Sequence, residues 1–89
     1  MNRASFTTKL SAAGWLIRSE DFGYEVLNDA LCGGWTVSVI KQETLRSSPA
    51  NPKIRLTAEI ANVDEMAATL AEARVKTIAR VQEWEALNT

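Results

Sequence analysis

The most telling part of the chain is residues 62–89, NVDEMAATLAEARVKTIARVQEWEALNT, which contain neither Gly nor Pro. Apolar residues recur there at the three- and four-residue spacing of a helix. Asn62 is a favoured N-cap residue, and Glu65 three positions later completes a capping box. The pattern predicts one helix of about 25 residues, roughly 38 Å long.

This predicted helix is longer than a compact domain of 89 residues, whose radius of gyration is about 12 Å. Part of it should therefore protrude or contact a partner. Its apolar stripe is expected to cover a sheet and consists of Val63, Met66, Ala67, Leu70, Thr77, Ile78, Val81 and Trp84.

Strand patterns precede this helix. Residues 54–60 and 35–40 alternate apolar with polar side chains, which is typical of strands buried on one face. Shorter strands are predicted over 15–18 and 23–27, with a turn between them. Residues 28–34 are predicted to connect to the next strand.

The front of the chain has two interpretations. Thr7 can cap a short helix that ends at Gly14, or residues 6–10 can alternate as a strand, and we favour the helix. The predicted fold is α+β: a three- to four-stranded antiparallel sheet with one face covered by a long C-terminal helix, in the order αββββα or ββββα. Residues 1–89 are expected to form one domain.

Composition excludes several chemistries. The chain has no His and one Cys, Cys32, so it cannot build a Ser-His-Asp or Cys-His site, a Cys/His zinc site or an internal disulfide. The adjacent acids Glu20-Asp21 and Asp64-Glu65 are assigned to a turn and to the first turn of the long helix. We expect no enzymatic activity, no metal or cofactor, no membrane segment and a reducing, cytoplasmic setting.

The leading functional hypothesis is a protein-binding module, such as a bacterial or phage-encoded inhibitor or adaptor of the anti-defence type, that occludes a partner protein. Arg74 lies near the middle of the apolar stripe, so it should pair with Glu25 or Glu85 or face the partner. The candidate binding residues are Arg46, Arg55, Thr57, Glu59, Arg74, Arg80, Glu83 and Trp84. A small-residue stripe suits a homodimer and comprises Ala68, Val75, Ala79 and Ala86.

The alternative hypothesis is an RNA- or DNA-binding module. Basic residues surround the predicted loop over 46–52 and could contact phosphates: Lys41, Arg46, Lys53 and Arg55. The net charge of the chain is only −1, so nucleic acid is the less favoured partner.

Overall fold

The structure is a computed structural model that describes residues 1–47, 50 and 55–88. Its elements follow the order α1 (Arg3–Ala12), β1 (Trp15–Leu27), β2 (Ala30–Ser47), β3 (Arg55–Ala67) and α2 (Leu70–Leu87). The strands form one antiparallel sheet in the order β1-β2-β3. The predicted α+β class and the N-terminal helix are confirmed, while no fourth strand is present in the described residues.

Helix α1 begins earlier than predicted. The side chain of Asn2, not Thr7, caps it by accepting a hydrogen bond from the Ser5 N–H at 2.8 Å. Phe6 and Leu10 are buried on one side of this helix. The helix ends before Gly14, whose φ of +84° suits glycine, so the predicted end is confirmed.

Helix α2 is shorter than predicted, and Asn62 does not cap it. Thr69 is the cap: its hydroxyl accepts from the Glu72 N–H at 3.2 Å in the same capping-box spacing. Residues 62–67 belong to β3 because pairing with β2 satisfies their backbone and buries Val63 and Ala67. The 18 residues of α2 span about 27 Å, so this helix does not outgrow the domain.

Strands β1 and β2 form one long hairpin. The predicted turn near residues 19–21 is wrong: Arg18 is an extra residue in a β-bulge, and the strand continues to Leu27. The predicted connection over 28–34 shrinks to Asn28 and Asp29, whose φ values of 53° and 64° fit a type I′ turn.

Strand β3 contains a second bulge, at Ile60, between the pairs Lys41–Ala61 and Gln42–Glu59. The expected burial of Ile60 is therefore wrong, and this side chain is about half exposed. Ile54, predicted to share its face, lies outside the described residues.

Both helices pack against the same side of the sheet, which we call the helix side; the other side is the open side. The core lies between the helices and the sheet and contains Phe6, Leu10, Trp15, Val37, Val39, Val63, Ala67, Ala73, Ile78 and Val81. In the part of the chain that the structure describes, no helix is long and apolar enough to cross a membrane.

The molecule is elongated, with extents of 56 × 25 × 24 Å and a radius of gyration of 15.8 Å. A compact chain of this length would have a radius of gyration of about 12 Å. The sheet, not the helix, causes the elongation, because the 18 residues of β2 alone extend for about 55 Å. At one end of the sheet, the turn end of the β1–β2 hairpin extends past α2. Residues 21–33 form this projecting arm, and all of them except Cys32 are exposed.

Candidate protein-binding surface

The projecting arm displays large apolar side chains on its helix side. Phe22, Tyr24 and Val26 alternate along β1, and Leu31 of β2 lies directly opposite Val26. Their exposed fractions are 49%, 65%, 70% and 70%, respectively. The arm therefore has an apolar strip (Phe22, Tyr24, Val26 and Leu31) that continues the core side of the sheet beyond the helices.

Aromatic contacts order the base of this strip. Phe22 meets Trp35 edge-on at 5.6 Å between ring centroids and meets Tyr24 at 5.2 Å. Both rings lie over Gly33: a Cβ there would stand 2.8 Å from Phe22 Cζ and 3.0 Å from Tyr24 Cε1. The glycine thus leaves room for the rings, and Trp35 joins them to the core.

The arm is also acidic. Residues 19–40 contain four carboxylates and no Lys or Arg. Glu20 is used inside the fold, whereas Asp21, Glu25 and Asp29 are exposed and form no ion pair with any described residue. The arm therefore combines apolar surface with net negative charge.

Arg74, predicted as a surface candidate, is instead buried against Glu20. Its Nε lies 2.6 Å and its Nη2 3.1 Å from the Glu20 carboxylate, and the two side chains are 11% and 6% exposed. Arg3 also reaches Glu20 at 3.2 Å, and the Met1 carbonyl accepts from Arg74. The predicted partners Glu25 and Glu85 are wrong, because the bulge at Arg18 brings Glu20 to the helix side.

The hydrogen bonds from Arg74 to Glu20 raise the pKa of the guanidinium above its usual value, which outweighs the opposing effect of burial. The guanidinium therefore stays charged. Its geometry clamps α2 to β1 and to the start of α1, so its role is structural.

Glu85 anchors the other end of α2. It accepts hydrogen bonds from the Lys41 ammonium and, at 2.8 Å, from the Trp15 indole. The bond from Lys41, then that from Trp15, lowers the pKa of Glu85 below its usual value of 4.5. Trp84, a predicted surface residue, is half-buried edge-on against Trp15 with Lys41 5.0 Å above its ring.

The structure describes the side chains of four further predicted protein-binding residues, which lie in β3 and α2: Thr57, Glu59, Arg80 and Glu83. Glu59 pairs with Arg18 at 2.6 Å across the sheet, and Thr57 is exposed in β3. Arg80 contacts Glu65 at 3.1 Å and Glu83 at 3.2 Å. The charges of Glu59, Arg80 and Glu83 are thus each paired with an opposite charge within the fold.

The predicted nucleic-acid residues are not assembled into a described site. Lys41 is occupied by Glu85 and Trp84, and Lys53 lies outside the described residues. Arg46 and Arg55 lie in β2 and β3, and the structure does not describe their side chains.

The predicted dimer stripe is only partly helical. Val75, Ala79 and Ala86 are exposed on α2, but Ala68 lies before the helix begins. The homodimer stays a prediction.

Among the described residues, no three His, Cys, Asp or Glu side chains converge to hold a metal ion.

Sequence reasoning missed the apolar strip on the arm. Its residues surround Asn28-Asp29 at alternating positions, which is the pattern of a hairpin with a two-residue turn. That signal could have predicted the hairpin, but it does not show that the helices leave its turn end uncovered.

No known family model, curated protein or solved structure matches the chain.

Proposed function

We propose that this chain is a small, non-catalytic protein-binding module of the inhibitor or adaptor type that occludes a partner protein through its projecting arm. The observation that carries the proposal is the apolar strip: Phe22, Tyr24, Val26 and Leu31 are all about half or more exposed. Contiguous exposed apolar surface of this kind marks protein interfaces in soluble proteins. An aromatic residue such as Tyr24 is a frequent energetic centre of such interfaces.

Ring contacts support the base of the arm without a partner. Phe22 and Tyr24 contact each other, and Phe22 also contacts Trp35 of the sheet. An interface that is already ordered loses little conformational entropy on association. These contacts therefore lower the ordering cost of binding at Phe22 and Tyr24.

Charge favours a protein over a nucleic acid as the partner. Asp21, Glu25 and Asp29 would repel a phosphate backbone, whereas nucleic-acid binding depends on Lys and Arg contacts to phosphate. Because Cys32 is the only cysteine and pairs with no second thiol, the proposal also places the protein in a reducing, cytoplasmic setting.

Site-specific photocrosslinking tests this proposal. Tyr24 is replaced by a photoreactive benzoyl-phenylalanine, and the full chain is irradiated in an extract of the cells that encode it. The matched control carries the same group at Gln82, an exposed position on α2. We expect polypeptide adducts at position 24 that are absent at position 82, because only the first lies in the apolar strip.

The captured polypeptide is then purified and its affinity measured by calorimetry. The double variant Phe22→Ser/Leu31→Ser should bind at least about tenfold more weakly than the wild type. The proposal fails if both positions yield the same adducts, if neither yields any, or if the double variant binds unchanged. An adduct that contains nucleic acid would favour the alternative hypothesis.

A further inference from the structure

We propose that the partner adds an extended segment to the outer edge of β1 along the projecting arm, and that this segment alternates apolar residues with Lys or Arg. The inference rests on the proposed function and specifies the chemistry of the partner at the same surface. It follows from the hydrogen-bonding edge, the alternation of side chains and the charge of the arm.

Strand β1 is an edge of the sheet. It pairs with β2 on one side, and no described strand pairs with its other side. Helix α1 packs near the first residues of β1, around Trp15 and Leu16. The residues of β1 in the arm therefore keep an exposed backbone edge.

The turn determines which backbone groups point outward. A two-residue turn makes Leu27 and Ala30 the hydrogen-bonded pair that closes the hairpin. Antiparallel strands alternate such pairs with pairs whose N–H and C=O groups point away. The outward-pointing groups of the arm are therefore those of Phe22, Tyr24 and Val26, the residues of the apolar strip.

The arm edge of β1 lacks several of the usual protections against strand addition, and the exposed charges that it carries, Asp21 and Glu25, are both acidic. Natural edges carry Lys, Pro or a bulge that disturbs pairing. Residues 19–27 contain neither Lys nor Pro, and the bulge at Arg18 lies before the arm. The ladder past this bulge is regular to Leu27, so an added strand would find continuous partners.

Charge complementarity identifies the added strand. Asp21 and Glu25 alternate with the apolar strip and thus face the open side. A strand paired with β1 would place every second side chain beside these carboxylates and the others beside Phe22, Tyr24 and Val26. Lys or Arg satisfies the first set, and apolar residues satisfy the second.

A second copy of β1 fits less well. Antiparallel pairing of two β1 strands would gather Asp21 and Glu25 of both copies on the open side. Pairing centred on Gly23 places Asp21 of one copy opposite Glu25 of the other, and pairing centred on Tyr24 makes the two Glu25 side chains diagonal neighbours. Like charges directly opposite each other destabilise a strand pair. We therefore assign the edge to a different, basic chain.

A peptide titration of the full ¹⁵N-labelled chain tests the inference. The probe is a capped peptide of about eight residues, the length of an ordinary strand, that alternates Val and Lys. The matched control alternates Val and Glu. We expect the Val-Lys peptide alone to shift the amide signals of Phe22, Tyr24 and Val26, at concentrations in the millimolar range.

Two sets of variants separate backbone from charge effects. Tyr24→Pro and Tyr24→Ala both remove the aromatic ring. Only Tyr24→Pro also removes the outward-pointing N–H, and the hydrogen bonds between β1 and β2 remain in both variants. Tyr24→Pro should bind the Val-Lys peptide several-fold more weakly than Tyr24→Ala. The double variant Asp21→Lys/Glu25→Lys should weaken that peptide about tenfold and allow the Val-Glu peptide to bind.

The outcomes also separate this inference from the proposed function. Adducts at position 24 without any peptide-induced shift in the arm would retain the protein-binding proposal and overturn strand addition. Equal binding of the Val-Lys and Val-Glu peptides would overturn the charge assignment. If Tyr24→Pro alters the arm in the free protein, the charge-reversal variant alone decides.

Discussion

Two parts of the β1–β2 hairpin have the same architecture and opposite surroundings. Near the helices, Trp15, Val37 and Val39 lie on the helix side and are fully buried. In the projecting arm, Phe22 and Tyr24 lie on the same side and are exposed. Alternation along a strand determines the side that each residue faces, whereas the neighbouring element determines whether that side becomes core or binding surface.

Replacing Trp15 should cause the largest loss of stability and show how the two parts of the hairpin differ. Trp15 packs edge-on against Trp84 and donates to Glu85 with no exposed surface. Trp15→Ala should lower the free energy of unfolding by about 4 kcal/mol in urea denaturation. The control, Tyr24→Ala, should cost less than about 1 kcal/mol. Equal losses would contradict the comparison.

Breaking the Arg74–Glu20 pair should produce the next largest effect. Arg74→Met leaves a nearly buried carboxylate with only the exposed Arg3 nearby, so we expect a loss of about 3 kcal/mol. Arg80→Met removes exposed ion pairs on the same helix and should cost no more than about 0.5 kcal/mol. In denaturation experiments, the double variant Arg74→Met/Glu20→Gln should regain part of the unfolding free energy that Arg74→Met loses. Similar losses for Arg74→Met and Arg80→Met would refute the clamp.

The Glu85 anchor should show a smaller, pH-dependent effect. Because its pKa is lowered in the folded state, the unfolded state binds more protons as the pH falls below 4.5. The contribution of Glu85 is therefore complete above that pH and is lost as the pH falls through the folded-state pKa. Denaturation across this range should show Glu85→Gln less stable than the wild type at neutral pH, with the gap closing in acid. If the difference in unfolding free energy between the wild type and Glu85→Gln does not change with pH, the ionised form of Glu85 does not stabilise the fold.

Changing the arm should affect stability least. Tyr24→Ser together with Leu31→Ser removes two exposed side chains, so the unfolding free energy should change by only about 0.5 kcal/mol. Thermal and urea denaturation provide the measurement. A loss above about 2 kcal/mol would mean that the strip supports the fold rather than a partner.

Much of the fold could be predicted from local patterns. The strand over residues 35–40, the helix after Thr69 and the end of α1 at Gly14 follow from alternation, helical spacing and glycine conformation. The start of α2 could not be predicted from pattern alone, since residues 62–67 fit both a strand and a helix. Pairing with β2, a contact distant in sequence, decides between them.

The candidate surface was harder to predict. The arm residues are ordinary strand formers, and their exposure depends on where α2 ends relative to the hairpin. The partner of Arg74 was also inaccessible to local reasoning, because Glu20 reaches it only after the bulge at Arg18 reverses the side that β1 residues face.

The bulge at Arg18 absorbs one extra residue without disturbing the pairing of β1 with β2 on either side of it. Deleting Arg18 would give a regular strand in which Ile17, Ser19 and Glu20 keep their partners and the sides that they face. If β1 instead ran straight with Arg18 paired in the ladder, every later residue would change sides, so that Glu20 would leave Arg74 and the apolar strip would face away from the helices. The unpaired position of Arg18 thus sets both the internal clamp and the direction in which the molecule presents the strip.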